Sequence, residues 1–253
     1  MPNLNRSGLG YLMSYRVETP QDFIQGLRLS WSSVTQVTIG GGRCADSTGR
    51  QLIRNTSTLT VDITASGAGG LDTGSEANST WYAVYLIAGP SGIAGLLSTS
   101  ATSPTKPAGY PFARRVGWIY NHTNDIMNFI QSGQQALRRI FWVETPSDYL
   151  NVLTTGSDNS GANVDCSSRI PTTASTAYFR FYAATGPTSN ISIRPQEGAT
   201  VTWMALKGDG SRQDYYTGEL PCGVSRGFYY KTWGSGVNQS QLTADVLGWT
   251  ETL

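Results

Sequence analysis

The chain has 253 residues and a formal net charge of +1, a length that holds one large domain or two ordinary ones. Its basic residues cluster no further than the pairs Arg114–Arg115 and Arg138–Arg139, which argues against a nucleic-acid-binding stripe. Charged residues make up only 14% of the chain, against 39% hydrophobic, so Ser, Thr, Asn, Gln and Gly must build the surface, as suits strands joined by turns.

The N-terminal stretch MPNLNRSGLGYLMSYRVE holds no apolar run of signal-peptide length. No later stretch approaches a membrane span. The expectation is a soluble, unprocessed chain made in a cytoplasm, with no membrane insertion. VETPQDFIQGL, from Val17 to Leu27, sets a capping Thr19 before Pro20 and Asp22. The hydroxyl caps a free N–H, proline loses no needed donor, and the acid favours the positive helix end. VETPSDYLNVL, from Val143 to Leu153, repeats the pattern with Thr145, Pro146 and Asp148. Both predict a one- or two-turn helix or a tight turn, with capping bonds from Thr19 and Thr145 and with Val17 and Val143 buried. The sequences that follow the two motifs do not align, so a shared local device is expected rather than a duplicated domain.

Strand signals dominate the rest. GLRLSW, TQVTIG and STLTVDITA alternate apolar and polar residues, the mark of half-buried strands. TWYAVYLIAG is apolar on both faces and reads as a central strand. DIMNFIQ reads as strand rather than helix, because its apolar face stops at Ser132-Gly133. TAYFRFYAA, ISIRP, TVTWMAL, GFYYKTW and DVLGWTETL complete the series. Gly-, Ser-, Asn-, Asp- and Pro-rich clusters separate them. The predicted fold is all-β: two antiparallel β-sandwich, jelly-roll-like domains with few short helices, spanning residues 1–133 and 134–253.

No pattern points to catalysis. His122 is the sole histidine, and no G-x-S-x-G elbow accompanies it; it reads as a solvated turn residue. Acids such as Asp46, Asp72 and Asp158 sit in turn sequences, where their carboxylates cap local N–H groups. GGGRCADSTGR lacks the Lys-Ser/Thr ending of a phosphate loop. SDNSGANVD and KGDGSRQD fall short of a calcium loop. Cys44, Cys166 and Cys222 form no zinc-type pair and read as reduced core residues, a Cys166–Cys222 bridge being the alternative. No cofactor and no metal are expected. Tyr215, Tyr216 and Trp233, beside turns, are candidates for stacking on a glycan, against the plainer role of core or subunit packing.

One region carries a family signal. Asp72-Thr73-Gly74 is followed by Thr80-Trp81-Tyr82, a Pro104-to-Tyr110 connection, Arg114-Arg115-Val116-Gly117 and the exit Phe129-Ile130-Gln131-Ser132-Gly133. This ordered series resembles a module of bacteriophage and prophage virion structural proteins of the tail-fibre-associated β-sandwich type. The resemblance covers residues 24–133 most closely. It implies a non-enzymatic virion protein, tail-fibre or receptor-binding-associated, acting through subunit and particle interfaces. The alternatives are a capsid decoration, cement or head-fibre protein, and a glycan-binding module for host attachment. The chain has no collagen-like or coiled-coil stalk, so the implied part is compact. Expected partners are further copies of the chain (a homotrimer), other virion proteins and a host cell-surface glycan. Arg114 and Arg115 are candidate interface residues that would meet acids of a neighbouring subunit, or else lie solvated at a strand end.

Overall fold

The computed structural model describes residues 20–133, 135–144, 150–184, 190–195, 201–207, 213–222, 226–233 and 241–253. The chain is all-β. No α-helix occurs among the described residues, and every pairing between named strands there is antiparallel.

The first part carries β1 (Ile24–Gly26), β2 (Leu29–Ser33), β3 (Gln36–Ile39), β4 (Gly42–Ala45), β5 (Leu52–Asn55), β6 (Leu59–Asp62), β7 (Thr80–Gly89), β8 (Gly92–Ser98) and β9 (Phe112–Asn121). They form three three-stranded sheets, ordered β1-β4-β5, β2-β3-β6 and β8-β7-β9. The alternation legible in the sequence is the alternation observed: Val37, Ile39 and Val61 are buried while their neighbours face outward. β7 is buried continuously from Tyr82 to Ala88, as a central strand covered on both faces must be. Two close approaches show how the sheets stack. A Cβ on Gly95 of β8 would lie 2.2 Å from Val61 Cγ2, and one on Gly117 of β9 would lie 2.6 Å from Leu29 Cδ1. The β8-β7-β9 sheet therefore lies against β2-β3-β6 as a sandwich.

Turn chemistry in this part follows its sequence. Asp46 accepts hydrogen bonds from the hydroxyl of Thr48 at 2.6 Å and from the backbone N–H groups of Thr48, Arg50 and Gln51. Burial pushes its carboxyl up, but these donors outweigh burial and hold it below the ordinary carboxylate range. A folded-state pKa below the unfolded one stabilises the fold above the unfolded value, about 3.9, and that contribution fades as pH falls through the folded value. Asp46→Asn is therefore expected to lose most stability near neutral pH. The gap from the parent chain should narrow in acid, as measured by thermal unfolding across a pH series; a pH-independent gap would refute the assignment.

The second part carries β10 (Phe129–Ser132), β11 (Leu137–Trp142), β12 (Asn151–Gly156), β13 (Ala162–Asp165), β14 (Ala174–Ala184), β15 (Asn190–Arg194), β16 (Met204–Lys207), β17 (Gln213–Pro221), β18 (Gly227–Trp233) and β19 (Gln241–Thr252). Six of these make one sheet, ordered β10-β11-β19-β14-β17 with β12 also on β19. β19 pairs β14 along one side. Its other side is divided between β12, opposite Leu242 to Asp245, and β11, opposite Gly248 to Thr252. The second sheet is β13-β18-β15-β16.

Two hydrophobic cores result. One gathers residues from Ile24 to Trp142 and adds Leu150 and Trp249. The other runs from Val164 to Val246 around Phe179, Phe181 and Phe228, whose ring centroids lie 5.3–5.4 Å apart. The expected division between residues 133 and 134 falls within the β10–β11 hairpin, where Phe129 to Ser132 pair with Trp142 to Arg139. Trp142 and Trp249 pack on Trp81 of β7, at 6.0 and 5.4 Å.

The first motif takes the tight-turn form of its two expected shapes, Phe23 N–H donating to Pro20 C=O at 2.8 Å, and leads directly into β1. Other expectations change. Thr19, Thr145 and Val17 lie outside the described residues. Val143, expected to be buried, is 48% exposed, because alternation along β11 buries Arg138, Ile140 and Trp142 and turns the odd-numbered positions outward. In DIMNFIQ the ladder begins only at Phe129, with Ile126 making an isolated bridge to Asn121.

Candidate functional site

The arginine pair sits at a β-bulge. Val84 pairs with Gly117 and Tyr85 with Arg115, leaving Val116 as the extra residue. Arg114 is buried and donates to the main-chain oxygens of Gln21 and of Leu253. Burial pulls its pKa down from the ordinary value. Arg115 donates through Nη1 to Glu251 Oε2 at 2.6 Å. Thr173 Oγ1 donates to the same oxygen at 2.7 Å and in turn accepts from Trp118 Nε1 at 2.8 Å. The Arg115 guanidinium carbon lies 5.5 Å from the Trp118 ring centroid. Both arginines are thus joined to groups of their own chain and tie β9 to the C-terminal strand. Their outer sides line a cleft of about 660 Å³ together with Ser47, Tyr85 and Thr102.

A second cleft, of about 430 Å³, opens on the outer face of the six-stranded sheet. Alternation along β14 sends Phe179 and Phe181 to the core and Tyr178, Arg180 and Tyr182 outward. In register with Tyr182, β17 presents Tyr215, which is 67% exposed, and the two ring centroids lie 5.0 Å apart. Arg180 donates through Nε and Nη2 to Asp245 Oδ2, at 3.0 and 2.7 Å. Asp245 Oδ1 accepts from Asn151 Nδ2 at 3.2 Å, and Thr154 Oγ1 donates to Asn151 Oδ1 at 2.7 Å. Four neighbouring strands, β12, β19, β14 and β17, supply this line of groups.

The three aromatic candidates are thereby separated. Tyr215 lines the cleft. Tyr216, one residue on, is opposite Phe181 and packs against the second core. Trp233 stands exposed on β18 of the other sheet, with Lys231 Nζ 5.5 Å from its ring centroid. Sequence reasoning did not single out Arg180, Tyr182, Asp245 or Asn151. The signal for the first two lay in TAYFRFYAA, whose alternation places Tyr178, Arg180 and Tyr182 on one face.

The remaining reactive groups lie elsewhere. All three cysteines are free thiols. Burial pushes the thiols of Cys44 and Cys222 up to about 12 and raises Cys166 as well, so none is a ready nucleophile. His122 is half-buried in the turn after β9, and burial followed by the charge of Arg169 lowers its pKa. Asp158 Oδ1 accepts from the N–H groups of Ser160 and Gly161 at 2.7 and 2.9 Å, a turn-capping role. Among the described residues no group of three or more His, Cys, Asp or Glu side chains is placed to hold a metal ion. No family model matches this chain, and no curated protein matches it at a significant level.

Proposed function

We propose that this chain is a non-enzymatic structural protein of a bacteriophage virion, associated with the tail fibre or receptor-binding apparatus, and working through subunit and particle interfaces. The observation that carries this reading is the outer face of the six-stranded sheet. On an ordinary half-buried sheet that face would be polar. Here it carries Ile130, 61% exposed and directly opposite Phe141, whose ring centroid lies 5.0 Å from that of Tyr178, with Leu137 further along β11 and the Tyr182–Tyr215 cleft towards β17. Exposed apolar and aromatic side chains set in this way among polar ones such as Arg139 and Glu219 suit contact with other molecules.

The motif series supports the same reading, because its members do structural work. Asp72-Thr73-Gly74 is a turn with Gly74 at φ +74°, and Asp72 Oδ2 accepts from Thr105 N at 2.8 Å, anchoring the proline-rich connection. Thr80-Trp81-Tyr82 opens β7, the arginine motif forms the β9 bulge, and Phe129 to Ser132 is β10.

Placement is tested by labelling particles that carry a tagged copy of the chain. Label on tail fibres is expected. Label on the head would transfer the role to capsid decoration, and unlabelled particles would end the virion reading. The proposed homotrimer is tested with the double substitution Ile130→Glu and Leu137→Glu, which is expected to give monomers by light scattering with the fold intact by circular dichroism. An unchanged trimer would show that this face is not the subunit interface.

A further inference from the structure

We infer that the Tyr182–Tyr215 cleft is a binding site for a neutral saccharide, an inference that rests on the attachment role proposed above and names the ligand class of that contact. A sugar ring has an apolar C–H face and a rim of hydroxyl groups. The cleft matches both features. Tyr215 and Tyr182, tilted 44° to each other at 5.0 Å, form a shallow aromatic wall whose electron-rich faces attract C–H groups. Beside it, Thr154, Asn151 and Asp245, whose donors are used within the chain, present oxygen acceptors, and the hydroxyls of Thr243 and Tyr182 add donors, the mixture that a hydroxyl rim needs. The cleft volume of about 430 Å³ falls within the range of small-ligand sites, roughly 300–1,000 Å³.

Charge decides which saccharides fit. Among the described side chains lining the cleft the ionised groups are Arg180 and Asp245, and they neutralise each other through two hydrogen bonds to Asp245 Oδ2. An acidic sugar would find no uncompensated cation, and would meet the Asp245 carboxylate beneath the guanidinium. A neutral sugar forfeits nothing. The ion pair also holds Arg180 with its guanidinium carbon 5.9 Å from the Tyr215 ring centroid, so the wall is ordered before a ligand arrives and little conformational freedom is lost on binding. The same inventory points to binding without cleavage. Hydrolysis of a glycosidic bond ordinarily uses two carboxyl groups flanking it, and the described lining offers Asp245 alone, already engaged by Arg180 and Asn151.

The test uses the full purified chain and an array of immobilised neutral and acidic oligosaccharides, together with polysaccharide extracted from host cells. Retention on neutral glycans and not on their sialylated or uronic-acid counterparts is expected. Tyr215→Ala should weaken binding roughly tenfold, the order expected for losing one apolar stacking surface. Tyr215→Phe should keep it, and Trp233→Ala, on the other sheet, should bind as the parent does. Retention of acidic glycans alone, no retention of any neutral glycan, or parental binding by Tyr215→Ala would each overturn the inference. The outcomes are separable from the placement test. Labelled fibres with no sugar binding would remove the site alone, and sugar binding by a chain missing from particles would remove the virion role alone.

Discussion

Truncating Trp249 to alanine is expected to destabilise the first core by about 3–5 kcal/mol, the usual cost of deleting a buried tryptophan. Trp249 belongs to β19, whose buried apolar residues Leu242, Ala244 and Val246 serve the second core. Its own side chain is fully buried in the first. It meets Trp81 edge-on at 5.4 Å and Trp142 at 5.0 Å, while Trp81 in turn touches Trp118 and Tyr120 at 6.3 and 5.0 Å. Its indole Nε1 has no hydrogen-bond partner among the described residues, so the loss is one of packing and aromatic contact. Urea unfolding followed by tryptophan fluorescence should show the transition of the first core moving to lower denaturant. Trp249→Phe should recover a substantial part of the loss. An unmoved transition would mean that the last strand does not contribute to the first core.

Glu251→Ala is expected to cost a comparable amount, about 3–5 kcal/mol, because removing one partner of a buried ion pair leaves the other uncompensated. Glu251 is fully buried two residues beyond Trp249 on the same strand. It receives Arg115 and Thr173 on one oxygen. It also lies opposite Arg138 in the β11–β19 register. Arg138 is itself fully buried and donates to the Gly26 carbonyl. Burial depresses its pKa, the charge of Arg28 depresses it further, and Glu251 raises it. Removing the carboxylate thus withdraws a counter-charge from the buried Arg138 and from the partly exposed Arg115. Glu251→Gln retains the shape and an acceptor for Thr173 but not the charge, and should fall between parent and alanine variant. In a double-mutant cycle with Arg115→Met, the combined loss should be smaller than the sum of the single losses. Strict additivity would show that the pair contributes no coupling.

Both predictions depend on what β19 touches, and that is where sequence and structure part. Alternation in STLTVDITA and TQVTIG is a local property of a pleated strand, and it named the buried positions Val61, Ile63, Val37 and Ile39 correctly. The continuous apolar run of TWYAVYLIAG likewise identified the central strand. The candidate site was legible in pieces. Tyr215 stood out as an aromatic residue near a turn, and the parity that sends Tyr216 inward was available once the β17 ladder was placed. Asp245 and Asn151 carried no such mark. They join Arg180 only because β19 lies between β12 and β14, in registers interrupted by bulges at Leu153 and between Tyr178 and Phe179.

From its own residues, the sequence determined the strand character, the turns built on Asp46, Asp72 and Asp158, and the two-core, all-β class. Tertiary structure alone decided that Val143 faces outward, that Arg115 meets Glu251, that Trp249 closes the first core, and that Tyr182, Tyr215, Arg180 and Asp245 share one cleft. The reason is physical. Pleat and turn preferences act over a few residues, whereas antiparallel pairing joins residues far apart in the chain, and its register is selected by packing of whole sheets.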